Sequence, residues 1–158
     1  MELICKPIGI IHTPHKEQNG TPIQPRFSKD VEGTIEIYPE YTEGLSDLDG
    51  FERIWLIFWL HMGGEPKMKV IPYRDTVERG LFATRAPSRP NPIGQSCVKL
   101  LRVEGTPLHV AELDMLDGTP LLDIKPYSPE FDNYPDARYG WLQESKEKRE
   151  SADERFEE

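Results

Sequence analysis

The 158-residue chain is short of cysteine, of long apolar runs and of positive charge. Its two cysteines, Cys5 and Cys97, lie far apart, and neither sits in a Cys-x-x-Cys or Cys/His ligand spacing. Zinc, redox exchange and metal binding in general are therefore not expected. Cys97 stands between Ser96 and Val98 in a strand-like run, the usual setting of a buried, inert thiol. No apolar stretch approaches the roughly 20 residues that cross a bilayer, so no membrane insertion is expected. The start, Met1 to Pro7, lacks a basic stretch, an apolar signal region and a small-residue cleavage site, which points to the cytoplasm. Lys and Arg number 19 against 28 Asp and Glu, a formal net charge of −9, and such a surplus opposes binding to nucleic acid. Much of that acid is concentrated near the end, in Glu144, Glu147, Glu150, Asp153, Glu154, Glu157 and Glu158, so the body retains room for a basic face. Also missing are a Walker loop, a Gly-x-Ser-x-Gly elbow, a His-Glu-x-x-His pair and a Gly-rich dinucleotide turn. A nucleoside ligand would need a site other than a Rossmann crossover.

What is present reads as one all-β domain. Residues 31–38 alternate Val31, Gly33, Ile35 and Ile37 against Glu32, Thr34, Glu36 and Tyr38, the period-two pattern of a half-exposed strand. Residues 51–60 are almost wholly apolar, with Ile54 to Leu60 rich in aromatic and β-branched side chains, and predict a buried central strand. Shorter runs at 3–11, 96–103, 108–114 and 121–124 are separated by turns such as Glu104-Gly105-Thr106-Pro107 and Asp117-Gly118-Thr119-Pro120. Many short punctuated strands make a barrel or a sandwich. From Trp141 the sequence turns polar, which fits a helical or frayed tail, with Glu144 and Lys148 spaced as an i,i+4 pair. The expected division is a barrel domain over 1–140 and a charged tail, short helical or disordered, over 141–158.

Four loop patches carry the chemistry-bearing residues: 20–27, His61-Met62-Gly63-Gly64, Phe82-Ala83-Thr84-Arg85, and 114–120. Loops on a rigid sheet are where binding residues gather. Each patch alone also has a plain structural reading. His61 serves equally as a cap on the apolar strand, Arg85 and Arg89 as solvated cations, and Asp117 as a turn-forming Asx residue. The segment Ala86-Pro87-Ser88-Arg89-Pro90-Asn91-Pro92-Ile93-Gly94 excludes helix interior and reads as a rigid turn or a preorganised site.

Taken together the patches fall into an ordered set. Pro7-Ile8-Gly9-Ile10-Ile11 with Thr13-Pro14 leads to Gly50-Phe51-Glu52-Arg53-Ile54-Trp55-Leu56. Phe82-Ala83-Thr84-Arg85 follows with Arg89-Pro90-Asn91-Pro92-Ile93-Gly94. Leu116-Asp117-Gly118-Thr119-Pro120 comes last, with Leu122-Asp123-Ile124-Lys125-Pro126-Tyr127. From about Pro7 to Tyr127 this set resembles the TsaA-like domain of the TrmO (YaeB) family of tRNA N6-adenosine methyltransferases.

The resemblance implies a small closed antiparallel β-barrel, a homodimer, and S-adenosylmethionine as cofactor. It implies as acceptor N6 of the threonylcarbamoyl-modified adenosine at position 37 of tRNA, beside the anticodon. Carried over position by position, the cofactor residues are Pro25, Arg26, Phe27, His61, Met62, Arg85, Gln95, Asp114, Met115, Leu116 and Asp117. Arg85 is assigned to the cofactor's carboxylate, Asp114 or Asp117 to its ammonium or ribose hydroxyls, and Phe27 with Met62 to apolar contact. No catalytic group is fixed: His61 is a possible base and Arg89 a possible phosphate clamp. A basic face for RNA is expected among Lys67, Lys69, Arg74, Arg79, Arg85 and Arg89, with Tyr73 and Phe82 available for stacking. A small-molecule methyltransferase and a non-catalytic cofactor-binding module are the alternatives.

Overall fold

The computed structural model describes residues 1–157. Eight strands form: β1 (Gly9–His12), β2 (Glu32–Ile37), β3 (Arg53–Trp59), β4 (Lys69–Val70), β5 (Arg79–Gly80), β6 (Ile93–Val103), β7 (Leu108–Ala111) and β8 (Thr119–Pro126). Six of them close into an antiparallel barrel in the order β1-β2-β7-β6-β3-β8, and β4 pairs with β5 in a separate two-stranded sheet. Closure comes from β8, which pairs with β1 through Gly9↔Leu121 and with β3 through Leu56↔Ile124. A closed sheet has no free edge to offer a neighbouring chain.

Period-two alternation sets which side chains fill the barrel. In β3 Ile54, Leu56 and Phe58 are buried while Trp55 and Ile57 are half-exposed and Trp59 is exposed, so the apolar run at 51–60 has an inner and an outer face. Ile11, Ile35, Ile54, Leu56, Val98, Leu108, Val110, Leu113 and Leu121 are fully buried in one cluster. The strands pack closely enough that Gly9 is obligatory: a Cβ there would lie 2.0 Å from the Glu36 carbonyl oxygen across the β1–β2 pair. Of the run at 3–11 only Gly9 to Ile11 enter the sheet, and Leu3 and Ile4 are exposed. The loop after β6 is latched to the barrel by Thr106, whose Oγ1 accepts from the Ile37 amide at 3.0 Å.

The tail is short-helical in part, as expected: it has one α-helical turn, α2 (Trp141–Glu144), after an earlier turn α1 (Pro129–Asp132), and a 3-10 turn at Glu154–Phe156. The Glu144–Lys148 pair does not form, because the helix stops at Glu144 and Lys148 donates to the Ser145 carbonyl at 3.2 Å. Further on the tail docks through its backbone: Ala152 donates to Thr21 O (2.7 Å), and Gly20 and Ile23 donate to Ala152 O and Glu150 O (2.9 and 3.0 Å). Phe156 is buried with Val70, Leu81 and Ala86 and meets Tyr73 edge-on, ring centroids 5.1 Å apart. The pairing is between backbones, so side-chain composition gives no sign of it.

Leu56→Ala would leave a cavity at the barrel centre and is expected to destabilise the fold by about 2–5 kcal/mol, read as a lower midpoint in urea unfolding.

Candidate ligand cavities on the barrel wall

The barrel interior is filled, and concave surface lies outside it, where loops stand over the end of β3 and the start of β6. Two cavities adjoin there, of about 340 and 940 Å³, both in the size range of small-molecule sites. Ile23, Gln24, Tyr73, Thr84, Arg85, Gln95 and Ser96 line both and form the wall between them.

The smaller cavity lies at the end of the barrel. Its floor is Ile57, Trp59, Ile93 and Gly94, beside the register shift that separates Ile57 from Phe58 in the β3–β8 pairing. Bulges of this kind turn side chains at strand ends and are common next to binding sites. Gly94 is required by close packing: a Cβ would come 2.4 Å from the Phe58 ring. His61, Met62, Asp114, Met115 and Leu116 line this cavity. Met62 is exposed, Met115 is buried in the core cluster, and His61 sets its ring edge-on to Trp59 at 6.3 Å.

Asp114 is the electrostatic centre of the smaller cavity. Its carboxylate accepts from Ser96 Oγ at 2.6 Å, and Ser96 itself points inward from β6 with 2% exposure. Loss of solvent drives the Asp114 pKa up to about 7, against the opposing pull of the Ser96 hydrogen bond and the positive charge of Arg85. Arg85 is exposed and donates from Nη1 to Gln24 Oε1 at 2.6 Å. The cavity thus holds a desolvated carboxyl and a cation at one wall, with apolar surface around them.

The larger cavity has the outward face of the barrel as its floor, with Arg53 and Trp55 from β3 and Gln95 and Cys97 from β6. Burial pushes the Cys97 thiol up, away from the reactive thiolate. Pro25, Arg26 and Phe27 line this cavity in a single 3-10 turn that begins at Pro25. Of the eleven residues singled out from the sequence, these three therefore face the larger cavity and five the smaller, while Arg85 and Gln95 border both. Asp117 joins neither. It accepts from the Thr13 amide (3.0 Å) and from Lys16 Nζ (2.5 Å), and the Lys16 hydrogen bond holds its carboxyl below the usual carboxylate range. Asp117 pins the loop after β1, a long-range latch rather than the local turn-forming interaction.

Arg89 lines the smaller cavity, but its Nη1 is spent on the carbonyls of Thr84 (3.0 Å) and Ala86 (3.2 Å), and its guanidinium rests 5.9 Å from the Phe82 ring centroid. It fastens the proline-rich loop. Of the cations expected to form a basic face, Arg74 and Arg85 line the larger cavity, where Arg26, Lys29 and Arg53 join them, while Arg79 is held by Asp75 at 2.7 Å. Ser96 and Trp55 are lining residues that sequence reading missed. Ser96 is recognisable only once strand register puts it opposite Leu56 at the barrel end. Among the described residues no group of three or more His, Cys, Asp or Glu is placed to hold a metal, and no helix is long and apolar enough to cross a membrane.

Fold and site together define a closed-barrel domain with paired ligand cavities on its outer wall. The chain belongs to the family described as the tRNA-methyltransferase O N-terminal domain, whose model matches residues 10–133. A probable S-adenosyl-L-methionine-binding protein of Pyrococcus abyssi is 50% identical over 151 residues, covering 95% of this chain and 82% of that protein. The tRNA (adenine(37)-N6)-methyltransferase of Escherichia coli is 35% identical over 146 residues, covering 86% and 62%. The crystal structure of TrmO from Pseudomonas aeruginosa superposes with a TM-score of 0.75 at 39% identity, covering 89% of this chain and 62% of that one. The chain therefore spans about three fifths of the length of the last two.

Asp114 makes stability depend on pH. Its folded pKa lies above the unfolded value, so the folded state binds the extra proton between about pH 4 and pH 7. The Asp114 contribution to stability is greatest below that window and falls as pH rises to 7, by up to a few kcal/mol. Asp114→Asn is expected to flatten this slope in urea unfolding across the same range.

Proposed function

We propose that this protein transfers a methyl group from S-adenosylmethionine to N6 of adenosine 37 in tRNA, with the threonylcarbamoyl-modified nucleoside as acceptor. The observation that carries the reading is the pair of adjoining cavities in a chain of this family: a methyl transfer needs a donor site and an acceptor site with a common wall. The smaller cavity suits the donor. Asp114 is desolvated and can ionise to meet an ammonium or sulfonium cation, Arg85 can pair a carboxylate, and Met62, Ile57 and Leu116 supply apolar surface. Gln95 and Gln24 offer amide groups at the common wall. Pro25, Arg26 and Phe27 stand on the far side of that wall, next to Gln24, where they meet the reacting end of the donor and the incoming acceptor.

When bound, the cofactor supplies an electrophilic methyl group on its sulfonium. The protein's own task is to align the acceptor nitrogen with it and to exclude water, and no strong base is required before transfer. His61 stands at the smaller cavity, free of the hydrogen bonds that tie up Arg89, and is the group available to take the departing proton. A tRNA acceptor supports a cytoplasmic location. A homodimer is part of the same reading, supported by exposed apolar side chains on the segment after β8, Phe131, Tyr134 and Tyr139.

The archaeal relative's name, which specifies cofactor binding and no transfer, favours a second reading as a cofactor-binding module. Incubation with radiolabelled S-adenosylmethionine and threonylcarbamoylated tRNA, beside unmodified tRNA and no RNA, separates the two. Label confined to the modified adenosine supports the enzyme. Cofactor binding with no transfer to any tRNA supports the module. Arg85→Ala is expected to weaken the cofactor's dissociation constant about ten-fold in calorimetry, and an unchanged constant would remove Arg85 from the site.

A further inference from the structure

On a chain of net charge −9, positive charge is concentrated in one place. The larger cavity is lined by Arg26, Lys29, Arg53, Arg74 and Arg85 and by a single acid, Glu112. Glu112 is already engaged in a two-pronged ion pair with Arg53, at 2.6 and 3.1 Å. Arg26, Lys29 and Arg74 make no ion pair among the described residues. Arg74 lays its guanidinium over the Phe27 ring, 5.3 Å from the centroid, and its Nε is buried with no hydrogen-bond partner among the described residues. Buried N–H groups normally have an acceptor, so an unpaired one at a cavity wall is a donor waiting for a ligand.

Aromatic rings make up much of the remaining wall. Phe27, Trp55, Phe82, Tyr127 and Trp141 all border the cavity, and Phe82 is 76% exposed. Cations that track a phosphate chain, interleaved with rings on which bases stack, form the surface of a single-stranded nucleic-acid site. A low-dielectric concavity of one sign also focuses potential, so the local field attracts a polyanion although the whole chain is acidic.

We propose that the larger cavity is the RNA site of this protein. It takes an unstacked nucleotide of a single-stranded loop, its base against the aromatic wall and its flanking phosphates on Lys29 and Arg74. The proposal rests on the RNA-methyltransferase reading and adds to it where on the barrel the RNA lies. A base held there abuts Thr84, Gln95 and Ser96, the wall shared with the smaller cavity. An acidic segment of a second copy of the chain would meet the same charge but would leave the rings without stacking partners.

The test compares the wild type with Lys29→Glu and Arg74→Glu, using a fluorescently labelled 17-nucleotide anticodon stem-loop RNA in anisotropy titrations over a range of salt. S-adenosylmethionine binding by calorimetry, thermal unfolding and sedimentation are measured on the same samples. Each variant is expected to bind the RNA about ten-fold more weakly or worse at moderate salt, with a shallower salt slope, while cofactor affinity stays within two-fold. Variants that bind the RNA as the wild type does overturn the cavity as its site and leave the methyltransferase reading intact. A wild type that binds cofactor but no RNA overturns both. Lost RNA binding accompanied by a change of oligomeric state identifies the cavity as a contact between copies and overturns the proposal. Lys29 is exposed and outside every strand, so Lys29→Glu keeps the test valid if Arg74→Glu unfolds.

Discussion

Closure of the sheet by β8 is the constraint on which the rest depends. Pairing with β1 on one edge and β3 on the other joins the first and middle parts of the chain into a cylinder whose interior is filled by isoleucine, leucine and valine side chains. A barrel of six strands has room for little else. Ligands must therefore be held outside, by loops that leave the strand ends, and the order of strands decides which loops meet. Adjacent β3 and β6 present their outward faces side by side, and the loops at 20–27, 61–64, 82–94 and 114–116 converge over that surface.

Separation of charge follows from this arrangement. At the barrel end the chain places one desolvated carboxyl, Asp114, supported by Ser96 from inside the barrel. On the barrel flank it places cations, with one carboxylate neutralised by Arg53. The two environments are divided by a wall of mostly uncharged hydrogen-bonding groups, with Ile23 and Arg85. A donor carrying positive charge and a polyanionic acceptor would each be drawn to a different side of that wall. The docked tail contributes to both walls, through Ala152 on the smaller cavity and Phe156 on the larger.

The strands were legible because alternation is a local signal: residues 31–38 contain β2, and 51–60 contain β3. The closed barrel, rather than a sandwich, came from the family resemblance, since pairing partners are not encoded in periodicity. The tail's docking was invisible for the same reason. Among site residues, the patches at 61–62, 85 and 114–116 fell on the cavities because strand-end loops with His, Arg and Asp are seldom scaffold. Asp117 did not, because its carboxylate is claimed by the Thr13 amide and by Lys16, distant partners that leave no local signal in the sequence. The cationic wall was legible in part: Arg74 and Arg85 belong to the 67–89 segment, but Arg26, Lys29 and Arg53 come from other parts of the chain, and only the fold brings them together.

The arrangement of donor and acceptor on opposite sides of one wall is tested most directly by a crystal structure of the protein bound to S-adenosylhomocysteine, the demethylated product. The account predicts the ligand in the smaller cavity, its amino-acid end against Arg85 and Asp114, with the larger cavity left open. Product seated among Arg26, Lys29 and Arg74, filling the larger cavity, would contradict it.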